Sequence, residues 1–166
     1  EGNRATGTAG SGGGILNNLG TLSVERSTLS GNTANRAGGG IEANVGTTTL
    51  DGVELSGNDA GQAPGNGGGL HLTGVGTVDV SQSTVTGNTA VEGGGLWNSA
   101  GGTFSITDTV VEDNTATGDD ATQGGGGVYN DGVMTISGSR IISSSEPWLT
   151  LFLRTNGWKF DPNFTP

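Results

Sequence analysis

The chain has 166 residues, a formal net charge of −10 and no cysteine. Disulfide frameworks and thiolate metal sites are therefore excluded, and six Lys and Arg against sixteen Asp and Glu leave no basic face for nucleic acid or an anionic membrane. Leu, Ile, Val and Phe supply only 34 residues, the proportion of a chain too poor in apolar area to fold, so any order must come from where those residues stand.

They stand at fixed offsets. Residues 1–5, EGNRA, match residues 30–34, SGNTA, so the sequence opens partway through a repeat and reads as a piece or mature product of a longer array. Residues 12–34, GGGILNNLGTLSVERSTLSGNTA, are the first full unit. The unit returns at 38–60, 67–90, 93–116 and, in worn form, from 125 to about 144. Repetition at a few tens of residues marks a solenoid, whose units bury an apolar side only by stacking on one another. No apolar run approaches the ~18 residues of a membrane-spanning helix.

Within each unit the Gly-rich lead precedes an aliphatic anchor: Ile15, Ile41, Leu70, Leu96 and Val128. Alternation continues to Asn17, Ala43, Leu72, Asn98 and Asn130, the period of a strand with one buried face. A second short strand places Leu22 and Val24, Thr48 and Leu50, Val78 and Val80, Phe104 and Ile106, and Met134 and Ile136 inward. A third brings in Leu29, Leu55, Val85, Val111 and Ile141, each two residues after Ser27, Val53, Ser83, Thr109 and Ser139. Three short strands in turns of 26 to 32 residues between anchors predict an all-β, right-handed single-stranded parallel β-helix of about five coils, with handedness taken from the general rule for parallel crossovers. Stacked ~4.8 Å apart, five coils make a rod ~25 Å long. Residues 1–145 are expected to form this β-helix.

After each third strand stands Asn32, Asn58, Asn88 or Asn114. Asn tolerates turn geometry, and amides stacked in successive coils can form a hydrogen-bonded ladder that satisfies a buried bend. The glycine runs at 12–14, 38–40, 67–69, 93–95 and 124–127 precede strands and carry no Lys-Ser/Thr, so they are turn and close-approach glycines and not a phosphate cradle. The distance from ladder Asn to the next anchor runs from 8 residues (Asn88 to Leu96) to 14 (Asn114 to Val128). Insertions thus collect at one corner, where binding loops usually sit on a rigid scaffold.

Residues 146–166 change character. Trp148, Phe152, Trp158, Phe160 and Phe164 fall there, Leu149, Leu151 and Leu153 alternate, and Asn156-Gly157 suits a type I′ turn. The expectation is a C-terminal aromatic cap or hairpin over the open end of the core, or else a segment for association with another subunit.

GGGI followed by SGNTA, repeated through residues 2 to about 144, resembles the parallel β-helix repeats of bacterial surface proteins of the polymorphic outer membrane protein type, which share the pectin lyase-like fold. The resemblance implies export and a secreted or cell-surface location, with adhesion or display as the task. The sequence departs from that pattern in having Gly for Ala in the first motif and Leu or Val for Phe in the second, and it lacks that family's membrane barrel domain.

The position after each anchor faces outward and carries Leu16, Glu42, His71, Trp97 and Tyr129. His71, Trp97 and Tyr129, on consecutive coils, predict an exposed aromatic column suited to a glycan or a protein partner. Outward Thr and Ser in the second strand form a further face, resembling the surface of β-solenoid ice-binding proteins, although Thr suits any exposed strand and Asp79 and Val133 interrupt the row. Glu25, Asp51 and Asp79 lie near one another with Arg26 adjacent, but a polysaccharide lyase needs clustered acids for Ca²⁺ and a base, and no second base completes a set. Asp113, Asp119 and Asp120 offer weak Ca²⁺ binding without EF-hand or nonapeptide spacing; no other cofactor is expected. The sequence therefore points to a non-enzymatic extracellular structural or adhesive module. The alternatives are a filament subunit stacking on copies of itself end to end, a polysaccharide lyase-type enzyme, and an ice-binding β-solenoid.

Overall fold

The structure is a computed structural model that describes residues 1–61, 64–120, 122–142, 151–153 and 159–160. The described residues contain strands and no helix. All pairings are parallel and link each coil to the next, giving a β-solenoid of about five turns with three strands per coil. The anchors occupy equivalent places: Ile15 pairs with Ile41, Ile41 with Leu70, Leu70 with Leu96 and Leu96 with Val128. Ile41, Leu70, Leu96 and Val128 are fully buried, as are Val78, Ile106 and Leu50 in the second strand and Val85 and Val111 in the third. The alternation seen in sequence is therefore the alternation of the walls of one narrow core.

The first two strands of a coil join or separate according to one residue. In the second and third coils they run together as Ile41–Asp51 and Leu70–Ser81. There, the position two beyond the anchor is Ala43 or Leu72, which fills the core with carbon. In the first, fourth and fifth coils the chain turns between strands, and the same position is Asn17, Asn98 or Asn130. Their side-chain amides donate to the turn carbonyls of Gly20, Gly102 and Gly132, respectively. A buried turn leaves backbone groups without strand partners, and an inward amide replaces them.

The Asn ladder forms and extends one rung further than the four asparagines singled out. Asn32 donates from both its backbone N–H and its side-chain amide to Asn58 Oδ1, at 3.0 and 2.9 Å. Asn58 does the same to Asn88, and Asn88 to Asn114. Asn3 joins from above through the same pair of bonds to Asn32. The remaining amide proton of Asn58, Asn88 and Asn114 reaches the carbonyl of Leu29, Leu55 and Val85 one coil earlier. A second ladder, of hydroxyls, closes the bend before the third strand: Val53 N–H donates to Ser83 Oγ, Ser83 N–H to Thr109 Oγ1, and Thr109 N–H to Ser139 Oγ. The sequence pattern places these hydroxyls inward without revealing the ladder.

Each glycine of a leading triplet has its own constraint, as 67–69 shows. Gly67 has φ +64°, and Cβ atoms on Gly68 and Gly69 would collide with the carbonyl oxygens of Gly94 and Gly95 in the next coil. The triplet lets coils approach to sheet distance at a corner where no strand separates them. Beyond the Asn ladder, Thr33–Ala34, Asp59–Ala60, Thr89–Ala90 and Thr115–Ala116 form a row of two-residue strands that the sequence pattern does not announce.

The described parts of the C-terminal segment extend the sheet at the end of the fifth coil, where the cap or hairpin is expected. Leu151–Leu153 pairs in parallel with Val128–Asn130, and Lys159–Phe160 with Val133–Ser137, placing Phe152 opposite Tyr129 and Phe160 opposite Ile136. The fifth coil offers free strand edges, and in-register addition satisfies them. Trp148, Trp158 and the Asn156-Gly157 turn lie outside the described residues.

Asn88 connects three coils, so Asn88→Ala removes the acceptor of Asn58's two donors and the side-chain donor to Leu55 O and Asn114 Oδ1. With about 1 kcal/mol for each lost buried bond, the substitution is expected to cost about 3–4 kcal/mol and lower the melting temperature by about 10 °C. Asn35→Ala, which removes bonds from an exposed amide to the Thr6 and Gly7 carbonyls, should move it by less than about 3 °C.

Candidate functional site

The outward column on the first strand exists in register: Leu16 beside Glu42, Glu42 beside His71, His71 beside Trp97, and Trp97 beside Tyr129. The His71 and Trp97 rings lie 4.4 Å apart at 32°, and Trp97 and Tyr129 stack at 5.3 Å, within 2° of parallel. The column is not the exposed row that the alternation predicts. His71 and Tyr129 are each only 4 % exposed and Trp97 is half-buried. Two features cover it. Rings repeating at coil spacing hide one another's faces, and the glycine corners run alongside, where a Cβ on Gly67 would fall 2.7 Å from His71 Cβ.

Glu42, one coil above His71, is 1 % exposed. Its Oε2 lies 2.9 Å from His71 Nδ1, and its Oε1 accepts the Thr73 hydroxyl at 2.6 Å. Thr73 Oγ1 also lies 2.9 Å from the same nitrogen. A nucleophile relay requires the hydroxyl on one ring nitrogen and the carboxylate on the other. Here both crowd Nδ1, and the cluster holds the imidazole in place against Trp97. Trp97 is held from its other edge, where Nε1–H donates to Glu92 Oε2 at 3.2 Å.

Beside Glu42 the surface dips into a shallow depression bordered by Ser11, Leu16, Asn18, Arg36, Asn44 and Thr73. The Asn44 amide donates to Asn18 Oδ1 at 2.7 Å, and Arg36 Nη1 donates to Ser11 Oγ at 3.3 Å. Among the described residues Arg36 forms no ion pair. Leu16, at the rim, is 54 % exposed. The sequence pattern does not single out Arg36, Asn18, Asn44 or Thr73. The available signal is Glu42 and His71 in equivalent slots of adjacent coils, which calls for a polar neighbourhood around them.

Comparison with known proteins finds no matching family model, no matching curated protein and no matching solved structure.

Of the acidic groups noted in sequence, Glu25 and Asp51 are neighbours on adjacent coils, and among the described residues no third acid joins them. Glu25 sits opposite Asp51, whose Oδ1 accepts the Ser81 hydroxyl at 2.9 Å, while Asp79 sits opposite Thr49. Arg26 meets Glu25 at 3.4 Å with both side chains exposed. Asp120 accepts the backbone N–H and hydroxyl of Thr122, which hold its carboxyl below the usual range. Among the described residues no three His, Asp or Glu side chains are grouped to hold a metal ion, so Asp113, Asp119 and Asp120 are not brought together as a Ca²⁺ site.

Glu42→Ala leaves His71 and Thr73 with an unfilled acceptor position inside the wall. Removing one partner of a buried pair is expected to cost about 3 kcal/mol, read as a shifted denaturation midpoint and a changed Trp97 fluorescence. Glu25→Ala, which breaks an exposed pair, is expected to cost less than about 0.5 kcal/mol.

Proposed function

We propose that the chain is a non-enzymatic structural and adhesive module of an exported or cell-surface protein, recognising a glycan or a protein partner on the outer face of its first strands. The observation that carries this reading is Trp97, half-buried, clamped between His71 and Tyr129 and tied to Glu92, with part of its indole left open on a rigid wall. A ring fixed in this way contacts a sugar face or an apolar side chain with little loss of entropy. The neighbouring depression adds a guanidinium, two amides and an exposed Leu, the mixture that orients polar ligands in shallow sites. The loops of variable length lie at the glycine corner next to the same face, as binding loops do on rigid scaffolds. The family resemblance supports export and display, and a solenoid scaffold hosts many functions, so the site and not the fold carries the proposal.

The test is binding to a glycan array and to whole cells by the intact protein and by Trp97→Ala, with circular dichroism to confirm that the coil is retained. Binding is expected to fall at least tenfold, the loss of about 1.4 kcal/mol or more of contact energy. Undiminished binding, or release of unsaturated sugars from a polysaccharide, contradicts the proposal.

A further inference from the structure

The second strand of each coil presents two outward slots. The first carries Thr21, Thr47, Thr77, Thr103 and Val133, and the structure sets these opposite one another in a single column. The second carries Ser23, Thr49, Asp79, Ser105 and Thr135, aligned beside it. Eight of these ten side chains are hydroxyls, and among the described residues none of the eight hydroxyls hydrogen-bonds within the protein. Hydroxyls buried in the wall are engaged instead: Ser83, Thr109 and Ser139 each donate to a backbone carbonyl two residues earlier.

Strand propensity alone does not produce this array. Only five of the ten outward slots of the third strand are hydroxyls, the other five being Glu54, Val110, Glu112, Arg140 and Ile142. Among the described residues the loops of variable length lie after the Asn ladder and not beside this strand. Exposed aliphatic groups accompany the hydroxyls: Leu19 and Val75 at the edge are 70 % and 74 % exposed, and Val133 within the column is 48 %.

The free hydroxyls stand at sheet spacing, which is close to that of ordered water. Parallel coils repeat at about 4.8 Å and alternate residues of a strand at about 6.6 Å. Water joined by tetrahedral hydrogen bonds of about 2.75 Å has second neighbours about 4.5 Å apart and a perpendicular repeat of about 7.3 Å. Along the coils the mismatch is about 0.3 Å per step, within the ordinary spread of O–H···O lengths, and across the two columns it is about 0.7 Å. A rigid sheet bearing free hydroxyls and methyls at this interval offers lattice water both partners and apolar cover. We propose that this face binds ice, independently of the Trp97 site.

The test is slow growth of polycrystalline ice in a solution of the intact protein, measuring the fraction taken into the solid, together with inhibition of ice recrystallisation. The protein is expected to be enriched in ice, with the double variant Thr47→Tyr, Thr103→Tyr reducing uptake at least fivefold. Thr84→Tyr, on the third-strand face, should leave it unchanged, and Asp79→Thr, which completes the second column, should raise it; circular dichroism verifies that each variant keeps the β fold. Trp97→Ala should also leave ice uptake unchanged, which separates this inference from the binding reading above. Exclusion of the wild-type protein from ice, equal loss in Thr84→Tyr, or retention on crystalline cellulose or chitin in place of ice overturns it.

Discussion

One interaction fixes the rest: the paired donation from each ladder asparagine, through its backbone N–H and its side chain, to a single amide oxygen in the next coil. A bend buried against the core would otherwise strand backbone groups at a cost of about 1–3 kcal/mol each. Because the acceptor is a short side chain held by its own amide, the bond forms only when equivalent residues of adjacent coils are level. It therefore sets register as well as satisfying the bend, and register is what aligns anchor over anchor and outward slot over outward slot. A chain this poor in aliphatic residues folds because alignment concentrates them in one line.

The sequence alone discloses the anchors, the inward alternation and four ladder asparagines, because each depends on a residue type repeated at constant offset. The hydroxyl ladder is harder to see. Its positions mix Ser, Thr and Val, so chemistry changes from coil to coil while geometry does not. Exposure of the aromatic column cannot be read at all, since it depends on how rings in different coils screen one another and on how closely a glycine corner passes. The His71–Glu42–Thr73 cluster joins two coils at a distance of 29 residues or more, and its polar partners reveal themselves only once the coils are superposed. The tail is legible in part: its aromatic residues announce a segment at the end of the core, whereas the parallel register of Leu151–Leu153 on Val128–Asn130 depends on the free edges of the preceding coil.

The two outward faces illustrate what the scaffold permits. The face of the first strand is chemically varied, with Glu42, His71, Trp97 and Tyr129 in successive coils. The face of the second strand, which in two coils continues the same strand as the first, is nearly uniform in hydroxyls. Both rest on the same buried wall, so a substitution on one changes the other little unless it disturbs register. Repeat proteins can thus carry separate binding chemistries on separate sides, and the Trp97 face and the hydroxyl face are best understood as independent surfaces of one rod.

The most direct measurement of the ladder is hydrogen exchange, residue by residue, of asparagine side-chain and backbone amides by NMR. A register-setting ladder places the protons of Asn58 and Asn88 among the slowest in the molecule, opening only with global unfolding, while the exposed Asn35 amide exchanges orders of magnitude faster. Exchange of Asn58 and Asn88 at the rate of Asn35 would mean that the bends are not held by stacked amides, and the alignment of both outward faces would lose its cause.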